Sequence, residues 1–360
     1  METLLRKWDG ESTIIRFDRP THAMIIIAIH STRLGPATGG TRMKPYPDLR
    51  AALSDALKLA ASMTYKFAVA NFPRGGGKAV IAPSPEFDQR ARPDLLRRYG
   101  TLIHGLGGLF QTGVDVGTSP SDMDVIAETG APYVACRTPE KGGAGGSGQA
   151  TALGVFSGMQ AVCEYLFGDE SPAGKRVLVQ GAGSVGQPLI GLLREAGAEV
   201  LFSDVDQDTI RHFRDELGLA FVPPEAIYET PCDIFAPCAL GGIINHRTIP
   251  RLQCLAVAGA ANNQLAEPDD ADRLRERNIL YAPDYVINFG GAIAITGIED
   301  MGWSRVEAEE KVKSVRETLR RIFEVAVAEG LTTDATARRM AESRLSGAQF
   351  ERTAEKVMTD

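Results

Sequence analysis

Apolar positions along the chain change period several times, and each change predicts an element. Residues 13–17 and 24–29 are β-branched, apolar runs separated by turn-forming residues, which predicts neighbouring strands or a hairpin. Residues 33–42 (RLGPATGGTR) are dense in glycine and proline and read as a loop. Over residues 48–61 the spacing becomes helical, with Leu49, Leu53, Ala56, Leu57 and Ala60 on one face. Residues 67–70 and 79–81 are short apolar runs that read as strands, with Gly75, Gly76 and Gly77 turning the chain between them. A helix follows over residues 93–106 and a strand over 110–116. Ser119 and Pro120 then open a helix, because a hydroxyl caps the first turn and proline suits the first helical position.

The periodic signal stops at residues 140–148 (EKGGAGGSG), a flexible loop or interdomain connection. Beyond it, Ala152, Val155, Phe156, Met159, Val162 and Leu166 mark a core helix. Strand-like runs at 176–180, 199–203, 234–236, 255–258 and 279–282 alternate with helical or loop segments, the rhythm of a parallel, doubly wound sheet. Two amphipathic helices, 303–325 and 333–343, close the chain. The expected fold class is α/β with two domains, an N-terminal α/β domain and a Rossmann-type, doubly wound dinucleotide-binding domain, separated by a cleft. The expected boundaries are 1–135 and 136–329, with a helix over 330–360 packing back on the first domain.

Composition narrows the class. At 360 residues the default is two domains, and 44% hydrophobic with 24% charged residues is ordinary for a soluble globular protein. A net charge of −7 without a stripe of Lys and Arg argues against nucleic acid as a partner. No run is long and apolar enough to predict a membrane span, and residues 2–11 lack the apolar core of a signal peptide. Five cysteines, Cys136, Cys163, Cys232, Cys238 and Cys254, form no close pairs and read as free thiols in a reducing cytoplasm. The five histidines are scattered, so no metal site is expected.

Two places carry candidate chemistry. Lys66 and Lys78 bracket the triple glycine, and two ammonium groups facing one cleft would favour a neutral amine on one of them. Such a pair suits a base beside an anion holder, although lysines flanking a glycine run are also common as solvated surface. The segment is not a Walker loop, since Ala79 follows Lys78 and Phe72 stands at the first glycine position. The second place is stronger. Gly181, Gly183 and Gly186, with Ser184 and Val185 among them, spell GxGxxG between a predicted strand and a predicted helix. Asp204, followed by Val205, ends the next strand where an acid meets the adenosine ribose. Asp204 and Asp206 have no Arg or Lys beside them, which favours NAD over NADP.

A dinucleotide domain beside a lysine pair suggests hydride transfer from a substrate that carries a carboxylate. The segments LGPATGGTRM, MTYKFAVANFPRGGGKAVI, TGVDVGTSPSDMD, VLVQGAGSVG, CDIFAPCALGG, AGAANNQL and YAPDYVINFGGAI occur in that order from Leu34 to Ile293. In them the chain resembles the amino acid dehydrogenases acting on leucine, valine or phenylalanine, relatives of glutamate dehydrogenase. The resemblance implies an oxidoreductase that deaminates an L-amino acid to its 2-oxo acid and ammonia with NAD, in the cytoplasm, as a homo-oligomer built through the first domain. It implies Lys66 as the substrate carboxylate's partner, aided by Gly39 and Gly40, Lys78 as acid/base, and Asp115 as the carboxylate at the reacting amine. Asn262 would bridge nicotinamide and substrate, although Asn263 is not separable from it. Arg42, Thr151, Cys238 and Ala239 would line the cofactor, Cys238 through backbone and bulk. Asp115 also reads as a helix-capping acid.

Substrate choice follows from the same resemblance. Thr38 stands where glutamate enzymes carry a lysine, which excludes glutamate. Thr38, Gly113 and Ala292 replace larger pocket residues of branched-chain enzymes, so the expected substrate is aromatic, phenylalanine first. Leucine, valine and tryptophan remain alternatives, because Phe289 stands where a small residue is usual. An NAD-binding sensor would lack a lysine or Asp115, and all three are present. A hydroxy-acid dehydrogenase would want a His–Arg pair, which His104 and His246 lack.

Overall fold

The computed structural model describes the backbone of residues 2–359 and the side chains of residues 4–347. The chain divides into two compact units. The first comprises residues 1–146, 295–302 and 340–360, and the second residues 147–294 and 303–339. The break after Gly146 falls inside the glycine-rich connection, later than the expected 135/136, and the terminal helix is shared rather than assigned whole to the first unit.

In the first unit, helix α1 (Glu2–Lys7) leads into strands β1 (Ser12–Asp18), β2 (Ala23–Ser31) and β3 (Ala37–Met43), then helix α2 (Leu49–Val69) and strand β4 (Gly75–Ala82). Helix α3 (Arg92–Gly105), strand β5 (Phe110–Val114) and helix α4 (Pro120–Gly130) follow. The strands form one mixed sheet in the order β1-β2-β4-β3-β5. β1 and β2 pair as the expected antiparallel hairpin, β2 and β4 run antiparallel, and β3 is parallel to both β4 and β5. One core joins Ile25, Ile27, Ala79 and Ile81 to Leu95, Tyr99 and Ile126 of α3 and α4. A second joins Ile26, Ala28 and Val80 to Ala52, Leu53 and Ala56 of α2. Alternate strand residues thus feed two layers, as the two-residue period requires.

Three sequence expectations fail here. The expected loop at 33–42 contains β3. The expected strand at 67–70 is the end of α2, which Asp48 caps by accepting the Ala51 amide at 2.7 Å and which gives way at Asn71 (φ 53°). Four apolar residues suit a buried helix turn as well as a strand, and here burial against the sheet decides. The triple glycine does not turn but lies inside β4. A Cβ on Gly75 would sit 2.0 Å from the Ser31 carbonyl oxygen, and one on Gly76 would sit 2.1 Å from the Thr64 amide nitrogen. The glycines let the neighbouring strand and α2 approach the backbone itself. Helix α4 starts as expected, with Ser119 and Asp122 forming a reciprocal capping box.

The second unit opens with helix α5 (Gly148–Phe167), strand β6 (Arg176–Gln180), helix α6 (Gly186–Glu195), strand β7 (Glu199–Ser203) and helix α7 (Gln207–Arg211). Strands β8 (Ala220–Phe221), β9 (Ile234–Pro237) and β10 (Ala256–Val257), helix α8 (Asp270–Glu276), strand β11 (Leu280–Tyr281) and helix α9 (Asp284–Ile287) follow. Helix α10 (Gly290–Met301) begins in this unit and ends in the first. The tail is not one long helix before residue 325 but two, α11 (Arg305–Lys313) and α12 (Val315–Glu329), followed by α13 (Thr333–Thr359). The six strands are all parallel in the order β11-β10-β9-β6-β7-β8. From β6 the chain steps outward to β8 and then returns to the other side of β6 at β9. This is the doubly wound Rossmann order, with its switch point between β6 and β9.

Candidate active site

Lys78 and Asp115 meet in the first unit. Lys78 lies in the middle of β4 and Asp115 follows the end of β5, on the far side of β3. The Lys78 Nζ is 3.1 Å from Asp115 Oδ2, with side-chain exposures of 7% and 16%. Arg42, from β3 between them, places Nε 2.8 Å from the same Oδ2 and a second nitrogen 3.0 Å from Asp55 Oδ2 on α2. Tyr46 donates its hydroxyl to Asp55 at 2.5 Å. Burial alone would raise the Asp115 pKa, but the charges of Lys78 and Arg42 outweigh it and hold the carboxyl at about 2. Burial next to Asp55 pushes the Tyr46 phenol above its ordinary range, so it stays a hydrogen-bond donor. Asp115 does not cap α4, a role that Ser119 takes; the Asp115 amide instead donates to Thr118 Oγ1 at 3.0 Å.

Lys66 is buried in the last turn of α2. The carbonyls that end this helix are held from α13, where the Arg344 guanidinium donates to Ala68 O at 2.8 Å and to Val69 O. Thr38, Gly39 and Gly40 lie on β3 between β4 and β5. Thr38 donates its hydroxyl to Pro36 O at 3.3 Å. Gly113 of β5 faces the Cys136 thiol, with 2.8 Å between Cys136 Sγ and a Cβ built on the glycine.

The second unit gathers the other candidates at its switch point. Gly181 (φ 92°) leaves β6, and a Cβ there would lie 2.7 Å from the Ala239 Cβ in the segment after β9. The Cys238 amide donates to Gln180 O at 2.7 Å, tying the two strand ends together. A Cβ on Gly186 would lie 1.9 Å from Gly181 O, so helix and strand meet only because residue 186 has no side chain. Gly183 and Ser184 are exposed, and nothing lies within 4 Å of a Cβ on Gly183. At the start of α6 the Gln187 amide donates to Gly183 O at 3.0 Å and the Leu189 amide to Val185 O at 3.1 Å, and Pro188 has no amide hydrogen, so the open part of the loop is the backbone around Gly183. Asp204 accepts the Ala182, Val205 and Asp206 amides at 2.7, 2.7 and 2.9 Å, which fixes the glycine loop to the end of β7. Thr151 on α5 donates to Ser147 O at 2.8 Å. Burial pushes the Cys238 thiol up to about 12, so it is a neutral filler.

A dinucleotide fits this unit on two observations. The open backbone at Gly183 is where a pyrophosphate would approach. In addition, the side-chain oxygens of Gln180, beside that loop, and of Asn288 are buried without a hydrogen-bond partner among the described residues. Asn288 donates to Ala260 O at 3.0 Å and to Asn262 Oδ1 at 2.9 Å. Asn262 and Asn263, inseparable in the sequence, differ here. Asn263 has φ 52° and spends its amide on Asp284 Oδ2 at 2.7 Å, whereas the Asn262 side chain is held by Asn288.

A family model described as the Glu/Leu/Phe/Val dehydrogenase dimerisation domain matches residues 18–131. A second, described as glutamate/leucine/phenylalanine/valine dehydrogenase, matches residues 142–206 and 203–356. The chain belongs to this family. It is an amino acid dehydrogenase, an oxidoreductase. Leucine dehydrogenase of Geobacillus stearothermophilus is 43% identical over 95% of this chain and 92% of its own length. Valine dehydrogenase of Streptomyces virginiae is 43% identical over 97% of this chain and 98% of its own. The crystal structure of L-tryptophan dehydrogenase from Nostoc punctiforme has a TM-score of 0.81 at 40% identity, covering 97% of this chain and 99% of that one. Phenylalanine, the first expectation for the substrate, finds no support among these relatives. At one of the three positions behind that expectation, Gly113, the neighbouring space is occupied by the Cys136 thiol.

Within this amino acid dehydrogenase, sequence reasoning missed Asp55 and Tyr46 beside the ion pair and Cys136 beside Gly113. Asp55 carried only a faint signal, as an acid within the helical run at 48–61. Cys136 carried none beyond its apolar neighbours. Arg42, expected at the cofactor, is held in this structure by Asp115 and Asp55. No helix among the described residues is long and apolar enough to cross a membrane. All five cysteines are free thiols.

Proposed function

We propose that the protein catalyses the NAD-dependent oxidative deamination of an aliphatic L-amino acid, leucine or valine, to its 2-oxo acid and ammonia. The buried Lys78–Asp115 pair carries this reading: a fixed carboxylate and an amine 3.1 Å apart, which can hold an ammonium group and move its protons. In this reading Lys66 anchors the substrate carboxylate beside Gly39 and Gly40. Asp115, kept ionised by Lys78 and Arg42, receives the substrate amine. Gly181, Gly183, Ser184, Val185 and Gly186 would hold the dinucleotide pyrophosphate, and Asp204 with Val205 the adenosine ribose. Thr151, Cys238, Ala239 and Asn262 would complete the cofactor walls.

The chemistry a bound NAD would supply is acceptance of a hydride from the substrate α-carbon. Once Lys78 has given up its own proton, it takes one from a water whose oxygen bonds to that carbon, passes it to the nitrogen, and takes the remaining hydroxyl proton as the C–N bond breaks and the carbonyl forms. Asp115 holds the nitrogen throughout, so the positive charge on it before the C–N bond breaks has a counter-ion in place. The description of residues 18–131 as a dimerisation domain supports a homo-oligomer.

The test is an initial-rate panel of leucine, valine, phenylalanine and tryptophan with NAD, read as NADH absorbance. The aliphatic reading expects the highest kcat/KM on leucine or valine. The tryptophan relative gives the second reading, and a preference for tryptophan or phenylalanine would replace the first.

A further inference from the structure

We infer that Cys136 is a specificity-determining residue of the substrate side-chain pocket, its thiol forming the wall that Gly113 lacks. The inference rests on the reading above, in which Gly113 lines that pocket. It begins with the two-residue period of β5. Gln111, Gly113 and the following Asp115 share one face, and Asp115 carries the ion pair with Lys78 on that face. A side chain on residue 113 would therefore project beside the reacting groups. That place is taken: an ideal Cβ on Gly113 would lie 2.8 Å from Cys136 Sγ, closer than real Cβ contacts come, and 3.8 Å from Cys136 Cβ.

The thiol is held there by a backbone that is itself pinned. Cys136 is 5% exposed and adopts φ 62°, a left-handed conformation uncommon outside glycine. Just before it the chain runs alongside β5, with the Ala135 amide donating to Thr112 O at 2.8 Å. The Cys136 amide then donates to Glu299 Oε1 at 2.9 Å, and the same oxygen accepts the Ala144 amide at 2.7 Å. The neighbouring Asp300 accepts from Gln111 Nε2 at 2.5 Å and from Arg74 at 3.1 Å. The end of α10 thus clamps both the strand that carries Gly113 and the segment that fills its vacancy.

Burial keeps the thiol neutral, and a buried neutral thiol packs as a small hydrophobe. A CH₂SH group is larger than the methyl of an alanine. Counting residue 113 alone therefore mistakes the pocket for an open one; positions 113 and 136 set its size together.

The left-handed backbone makes the test clean, because glycine adopts φ 62° more readily than cysteine does. Values of kcat/KM for leucine, valine, phenylalanine and tryptophan are measured for the wild type, for Cys136→Gly, and for Gly113→Ala in the Cys136→Gly background. Cys136→Gly should raise the phenylalanine-to-leucine ratio by about tenfold or more, the usual worth of a methylene-sized change in a pocket. Adding Gly113→Ala should return the ratio toward wild type, since the new methyl takes the vacated place. Cys136→Ala should shift the ratio in the same direction and serves if the glycine variant does not fold. A purely structural role would lower all four values together and leave their ratios alone. An active wild type with unchanged ratios in the variants overturns this inference only. A wild type inactive on every L-amino acid overturns the proposed function and this inference with it.

Discussion

Replacing Asp115 with asparagine keeps the shape of the side chain and removes its charge, leaving Lys78 and Arg42 buried with their shared counter-ion gone. Its pKa, held at about 2 against an ordinary 3.8, corresponds to about 2 kcal/mol of stability near neutral pH. The folded pKa is the lower one, so this contribution is complete above about pH 4 and is lost as the pH falls toward 2. The variant should lose more than that at pH 7, about 3–5 kcal/mol, because a cation stranded in the interior costs more than a pair contributes. Chemical denaturation of both proteins from pH 7 to pH 3 reads the difference directly. The gap should narrow below pH 4, with roughly half of the pH-dependent part gone by pH 3. Turnover should fall to background at every pH. A variant within 0.5 kcal/mol of wild type at pH 7, on the order of ordinary surface substitutions, would show that the pair is not an energetic unit. A gap that stays constant down to pH 3 would show that Asp115 titrates normally.

Lys78→Ala should abolish turnover while NAD still binds with wild-type affinity in a calorimetric titration, since the two lie in different units; wild-type turnover would remove Lys78 from the mechanism. Lys66→Ala should chiefly raise KM for the amino acid, and an unchanged KM would remove its assigned role. Gly186→Ala should weaken NAD binding at least about tenfold, because its methyl would lie 1.9 Å from Gly181 O; unaltered binding would show that the loop adjusts freely. Ser119→Ala should cost about 1 kcal/mol of stability through the lost capping box, with kcat unaffected, and a melting temperature equal to wild type would count against it.

The second unit was largely legible in the sequence because its signals are local. A strand, three glycines, a helix and a terminal acid lie within about thirty residues, and each is recognisable without the others. Residues 176–180 and 199–203 form strands with the expected bounds. The first unit was harder because its decisive contacts join distant segments. Residues 67–70 carry no local mark that separates a buried helix turn from a strand; only packing against β4 does. The glycines at 75–77 look like a turn in any local window, since close approach by Ser31 and Thr64 is invisible there. What stands beside Gly113 is hidden from the sequence for the same reason. Gly113 is small in the sequence, but what fills the space beside it comes from residue 136, on a separate segment.

The interior position of β4 bears on how this protein becomes active in the first place. Three successive glycines give that strand little inclination of its own to be extended, and each loses more freedom on ordering than any other residue would. Its order must be imposed by β2 on one side and β3 on the other, both of which reach it across long stretches of intervening chain. Sheets closed by such distant pairings assemble slowly. Lys78 lies in the same strand, so the acid/base group reaches its place only when the sheet is complete. A refolding chain would then recover helical signal well before turnover, and the amides of β4 would be among the last in the unit to gain protection from hydrogen exchange.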